Sequence, residues 1–185
     1  PDYAAYLRIS EGCNNFCAFC AIPYIRGRFV SRPFDEVILE AETLKKAGVK
    51  EISLVSQDTT MYGFDFAGHK PSIIDLLKKL DGMGFYSIRL LYLYPDEISE
   101  ELLEFVRDSK SIKHYFDIPI QCASDHLLGL MKRHGTAEKE KALFKRIKEL
   151  MPDAVLRTTL ISGFPGETEE DQKETLEFLN EIQFD

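Results

Sequence analysis

The sequence predicts an α/β fold, a parallel sheet covered by helices. Strand-like and helix-like hydrophobic periods alternate five times along the chain, and each pair of successive strands is separated by enough residues for a helical crossover. Such βαβ units are right-handed. Tyr3–Glu11 is rich in aromatic and β-branched residues and reads as the first strand. Phe34–Ala47 reads as a helix with Val37, Ala41 and Leu44 on one face, bounded by Pro33 and Gly48. Glu51–Val55 is the second strand, and Ile73, Leu76, Leu77 and Leu80 mark the second helix. Ser87–Leu93 is the third strand, followed by a helix from about Ser99 that turns Leu102, Phe105 and Val106 inward. Tyr115–Ile120 is the fourth strand, Leu143, Ile147, Leu150 and Met151 mark the fourth helix, and Ala154–Ile161 is the fifth strand. Thr168–Ile182 is the fifth helix, with Thr168 and Asp171 spaced for a capping box.

Five units are too few for an eight-fold barrel, and Phe184–Asp185 stand where a sixth strand would begin. The expectation is one domain over 1–185, a piece of a longer protein. At 185 residues the chain can bury roughly 70% of its unfolded surface. With 44% hydrophobic and 29% charged residues it has neither a disordered nor a fibrous composition. No apolar run approaches the ~20 residues that span a bilayer, and no signal series opens the chain, which reads as cytoplasmic.

The net charge of −8 argues against broad nucleic-acid binding and against nucleic acid as this domain's partner. Acids crowd the last twenty residues, and bases crowd 132–148, both read as solvated helix faces. A loop at 21–32 carries Arg26, Arg28 and Arg32 and no acid, a composition suited to attracting carboxylates.

The informative motif is Cys13, Cys17 and Cys20, three cysteines within eight residues directly after the first strand. Clustered thiols in a reducing compartment are more often metal ligands than disulfide partners. Tetrahedral zinc wants a fourth ligand, and no His or Cys is near in sequence. An iron–sulfur cluster normally takes four cysteines, so three leave one iron of a four-iron cluster open. A structural zinc module and a closed electron carrier remain the non-enzyme alternatives. Candidate site residues also follow each later strand: Ser56-Gln57-Asp58, Tyr94-Pro95, Gln121, and Gly163 to Glu167. Parallel α/β folds build their sites at that end of the sheet.

The spacing C-x3-C-x2-C, with Phe19 before the last cysteine, resembles the signature of the radical S-adenosylmethionine (SAM) enzymes. The resemblance implies an open, partial (β/α)6 barrel, here without most or all of its sixth strand, and a [4Fe-4S] cluster on Cys13, Cys17 and Cys20 whose open iron chelates SAM. It implies that SAM is cleaved reductively to a 5′-deoxyadenosyl radical. Phe19, Ser56, Gln57, Asp58, Asp117, Gln121, Arg157, Gly163 and Glu167 fall where that family contacts SAM. If buried, Arg157 needs a partner, which can be a SAM carboxylate or a structural acid.

Ile9-Ser10-Glu11-Gly12-Cys13-Asn14, Pro23-Tyr24-Ile25-Arg26-Gly27 and Gly163-Phe164-Pro165-Gly166-Glu167-Thr168 further resemble the methylthiotransferases. Ser56-Gln57-Asp58-Thr59-Thr60, Leu91-Tyr92-Leu93-Tyr94-Pro95 and Asp117-Ile118-Pro119-Ile120-Gln121 look like the branch that modifies an aspartate β-carbon in a small-subunit ribosomal protein. A second branch modifies an adenosine in transfer RNA. The resemblance implies an electron donor such as flavodoxin or ferredoxin, a sulfide source, and a second [4Fe-4S] cluster in an amino-terminal domain. Only Cys122 remains after the motif is used, so this chain cannot hold that second cluster. Where the branch commonly has histidine, Cys122 stands, either turned toward the site, serving as a fourth ligand or, as expected of a small apolar residue, buried and inert. His69, His114, His126 and His134 sit in no metal spacing.

Overall fold

The computed structural model describes residues 2–185. Five parallel strands form one sheet, β1 (Ala4–Arg8), β4 (Glu51–Val55), β5 (Ser87–Leu90), β6 (Ile112–Asp117) and β7 (Val155–Arg157), in that spatial order. The order follows the sequence because each crossover helix returns the chain to the next position on the same side. These helices are α2 (Phe34–Lys46), α3 (Ile73–Asp81), α4 (Glu100–Asp108) and α6 (Ala137–Leu150); α7 (Glu169–Ile182) follows the last strand. The architecture is the open partial barrel expected. Asp185 donates its N–H to Leu156 O at 3.0 Å and accepts from Leu156 N, so the last residue pairs along the free edge of β7.

The core lies between sheet and helices. Leu7, Leu54, Ile88, Phe116 and Leu156 point from successive strands into a continuous cluster with Ala41, Leu76, Leu80, Phe144 and Ile147, all of them buried. Phe144, Phe178 and Phe184 close it at the β7 edge with ring centroids 4.9–6.4 Å apart. Ser72, Ser99, Thr136 and Thr168 cap their helices with side-chain oxygens, and Thr168 with Asp171 forms the capping box that its spacing predicts.

The second strand, Glu51–Val55, has the bounds its run predicts; three others are shorter than their apolar runs and the fourth is shifted. The first run breaks at Ile9, after which β2 (Ser10–Glu11) pairs antiparallel with β3 (Val30–Ser31) and leads into the cysteine loop. The third strand ends at Leu90, where the chain turns into Tyr92 with φ 59°. The fourth begins at Ile112 and ends at Asp117, earlier than its apolar run, and its pairing with β5 has a register irregularity between Ile88 and Leu90. The fifth stops at Arg157; only Leu160 continues, as an isolated bridge to Gln121. Two short helices, α1 (Ile22–Ile25) and α5 (Asp125–Leu130), hold too few residues to show a period. In the basic block Arg133 and Glu140 are buried, so that block is not wholly a solvated face.

Candidate active site

The carboxyl ends of the strands gather the candidate residues. Gly12, with φ +77°, turns the chain from β2 into the cysteine loop, and a Cβ there would run into the Arg28 carbonyl. Its N–H donates to Gln57 Oε1 at 2.7 Å, tying the loop to the end of β4. Asn15 Nδ2 donates to Asp58 Oδ2 at 3.0 Å, Ala18 N donates to Met131 O at 2.9 Å, and Cys20 N donates to Cys17 O at 3.0 Å. Phe16, at φ 50°, is held between the Arg28 guanidinium at 4.5 Å and the edge of Tyr24.

All four cysteines are free. Cys13 and Cys20 line a cavity of about 350 Å³ with Ile22, Ser56, Gln57 and Tyr92. A larger depression of about 630 Å³ lies among Asp125, His126, Glu138, Asp171 and Glu174, outside the sheet and without a cysteine. Burial pushes the Cys13 thiol up, and Asp58 adds to it. Burial also pushes Cys17 up, against the pull of the Arg133 guanidinium. Binding a cluster therefore releases protons here. Among the described residues no three His, Cys, Asp or Glu side chains converge on one point, as a single ion requires. The three thiols lie in one eight-residue loop, with Cys13 and Cys20 on one cavity, and such a set fits a cube, which takes each thiolate at a different iron.

The other candidates divide into those that face the cavity and those turned inward. Ser56 Oγ shares a 2.5 Å hydrogen bond with Ser10 Oγ and accepts from Asp58 N, so it fastens β2 to β4. Asp58 is buried among Asn15, Thr60 and Glu97. Burial, with repulsion from Asp58, lifts Glu97 to about 8, and burial lifts Asp58 as well. Thr60 Oγ1 lies between the two carboxyls, 2.7 Å from Asp58 Oδ1 and 3.1 Å from Glu97 Oε2. Asp117 Oδ1 accepts from Arg157 at 2.9 Å, and Oδ2 accepts from Tyr92 N at 3.4 Å. Arg157 thus has a structural acid as partner, and its side chain is half-exposed. Gln121 is in the left-handed region at φ 71° and bonds through its backbone to Thr159 and Ile161. Glu167 accepts from the N–H groups of Gly163 and Phe164, and Phe164 meets the edge of Phe19 with ring centroids 6.4 Å apart. Cys122 is buried, and its thiol is pushed up to about 11 by burial, as an inert residue requires.

The arginine loop differs from its expectation. Arg26 pairs with Glu11 at 2.8 Å and Arg32 with Glu40 at 2.6 Å, acids supplied by other segments, so two of the three guanidinium groups are already matched. Asn15, Glu97 and Arg133 are site residues that the motifs did not single out. Asn15 lies inside the cysteine spacing and offered a signal; the other two depend on tertiary approach.

The radical SAM superfamily model matches residues 7–179. The chain belongs to the radical SAM superfamily. Ribosomal protein uS12 methylthiotransferase RimO of Clostridioides difficile is 46% identical over 187 residues, covering 100% of this chain. The RimO of Acetivibrio thermocellus is 49% identical over 182 residues, covering 98%. The chain spans 42% and 40% of these relatives, less than half their length. Among solved structures, the radical SAM methyltransferase TsrM of Kitasatospora setae, with cobalamin and a [4Fe-4S] cluster bound, superposes with a TM-score of 0.77 at 17% identity, over 98% of this chain and 35% of that one. Methylornithine synthase PylB superposes with a TM-score of 0.67 at 15% identity, over 98% of this chain and 51% of that one. These likenesses establish the radical SAM fold. Membership implies a [4Fe-4S] cluster and SAM, and the cysteine loop is a donor set of the kind they need. No helix among the described residues is long and apolar enough to cross a membrane.

Proposed function

We propose that this chain is the radical-generating core, one domain over 1–185, of a methylthiotransferase that acts on an aspartate β-carbon of the small-subunit ribosomal protein uS12. The observation that carries the reading is the naming of relatives at 44–49% identity, each matching at least 97% of this chain, as uS12 methylthiotransferases. Cys13, Cys17 and Cys20 hold the cluster. Bound there, cluster and SAM supply a 5′-deoxyadenosyl radical that abstracts hydrogen from the substrate carbon.

The chain's own residues hold that chemistry in place. Gln57 fixes Gly12 and hence the start of the cysteine loop, while its exposed amide end faces the cavity that receives the SAM amino group. Asp58 acts from behind, bracing Asn15 rather than touching SAM, while Ser56 fastens β2 to β4 at the cavity wall. The Asp117–Arg157 pair and Gln121 border the ribose and carboxylate positions. Glu167 holds the Gly163–Phe164 backbone near the adenine, and Phe164 packs on Phe19 beside the last cysteine. Arg28, the arginine of its loop without a carboxylate partner among the described residues, is the cation available to a substrate aspartate through a charge-assisted bond. Electrons come from a flavodoxin or ferredoxin, and inserted sulfur comes from a sulfide source through a second cluster on another domain.

The test is to incubate the reconstituted full-length protein with SAM, reductant, sulfide and either uS12 or transfer RNA, and to weigh both by mass spectrometry. A methylthio mass on uS12 alone is expected. Modification of transfer RNA with uS12 unchanged would overturn the choice of substrate.

A further inference from the structure

Arg133 lies in the turn after α5, a segment drawn against the cysteine loop by the Ala18 N to Met131 O hydrogen bond of 2.9 Å. Its side chain is nine-tenths buried. The guanidinium stacks over the Tyr94 ring at 4.6 Å, donates to Pro119 O at 2.9 Å through one terminal nitrogen, and leaves Nε without a partner. Its charge acts on Cys17, the neighbour of Ala18 in that loop. No carboxylate lies within ion-pair distance of it among the described residues, although Glu140 is close enough to feel its charge. Glu140 is itself buried with both oxygens unpartnered, and burial lifts its carboxyl to about 8, so near neutrality it is mostly protonated and does not cancel the cation. A buried guanidinium without a counter-charge is costly to keep. What its segment is bonded to is the cysteine loop, at Ala18 between Cys17 and Cys20.

We propose that Arg133 is a positioning residue whose missing counter-charge is the cluster itself: its guanidinium donates to the Cys17 sulfur and favours the reduced, more negative form of the cluster. The proposal rests on the three cysteines being ligands. A cation and an N–H···S bond both oppose the accumulation of negative charge on the sulfurs less than an apolar neighbour would, and they raise the potential at which an electron is accepted. Tyr94 and Pro119 fix the plane of the guanidinium, so its fork is aimed before the cluster binds. The effect belongs to electron entry. SAM contacts are left to other residues.

The test uses the full-length protein, reconstituted anaerobically as wild type, Arg133→Gln and Arg133→Lys. Three quantities are read: iron per chain, the reduction potential by EPR-monitored titration, and coupling of the reduced cluster to 15N-labelled arginine by pulsed EPR. The expected result is equal iron in all three, a reduction equilibrium shifted about tenfold toward the oxidised form in Arg133→Gln, equal to ~59 mV for one electron, and a smaller shift in Arg133→Lys, which keeps charge without the fork. The 15N coupling is present in wild type and absent from Arg133→Lys. Equal potentials in every variant, or no 15N coupling in the wild type, would overturn the role even where Arg133→Gln fails to fold. A wild type that takes up no iron would overturn the ligand assignment as well, which separates the two failures.

Discussion

The two ends of the sheet are built differently. At the amino end, Asp81 Oδ1 accepts from Ser109 Oγ at 2.7 Å, Ser111 N at 3.1 Å and Ser111 Oγ at 2.5 Å, and these bonds hold its carboxyl below the usual range against the opposing effect of burial. At the carboxyl end, Glu97 and Glu140 are pushed up to about 8, Glu140 has no hydrogen-bond partner, and Phe16, Tyr92, Gln121 and Lys132 all take positive φ. Strained backbone and under-satisfied carboxyls cluster where a fold trades stability for a site. The amino end stabilises the domain, and the carboxyl end is assembled for cofactors.

The largest effect that breaks this comparison is expected at the cysteines. Replacing Cys13, Cys17 or Cys20 with Ala should abolish cluster absorbance and reduce bound iron to background, while thermal unfolding shifts little, because these side chains sit in the loop and outside the main core. Full iron loading of Cys17→Ala would remove it from the ligand set. Asp81→Ala should do the reverse. Losing three bonds to a charged group costs on the order of 2–3 kcal/mol, about 5–10 °C in Tm for a domain of this size, with iron uptake unchanged.

A smaller effect is expected with pH. Glu97 is lifted from 4.5 to about 8 in the folded chain, so the folded state keeps a proton that the unfolded state releases between those values. Its contribution favours folding most at low pH and is lost as pH rises from 4.5 to 8. Glu97→Gln should flatten the fall in urea midpoint between about pH 5 and 8.5 by on the order of 1 kcal/mol after solvent screening. The slope does not vanish, because Glu140 titrates in the same direction. An unchanged slope would show that the lifted Glu97 carboxyl does not bear on stability. The least effect belongs to Cys122→Ala, which should cost about 1 kcal/mol of packing and leave iron uptake intact; loss of iron would make Cys122 part of the site.

The same comparison explains what the sequence disclosed. The amino end and the core are built from repeated local signals, so the apolar faces of Phe34–Ala47 and Thr168–Ile182 and the Thr168–Asp171 cap were legible from spacing alone. The cysteine triplet was legible for a similar reason, since three ligands within eight residues leave a local trace. Arg133 was not, because its burial comes from the approach of Ala18 to Met131 across more than a hundred residues, and its neighbourhood is otherwise basic and polar. Arg157 beside Asp117 likewise needed the register of β6 and β7 to show that its partner is an acid within the fold. Strand ends were overestimated because Tyr92 and Gln121 turn out of the sheet through left-handed backbone that their residue types do not announce.

The most direct measurement is on this chain reconstituted with iron and sulfide without oxygen, then given dithionite and SAM while 5′-deoxyadenosine is quantified beside Cys17→Ala. If the carboxyl end of the sheet is a radical-generating site, wild type should carry about four irons per chain and form 5′-deoxyadenosine only with SAM and reductant, without adding a methylthio group to uS12, and the variant should do neither. Zinc bound in place of iron, or a full cluster that leaves SAM uncleaved, would contradict the account.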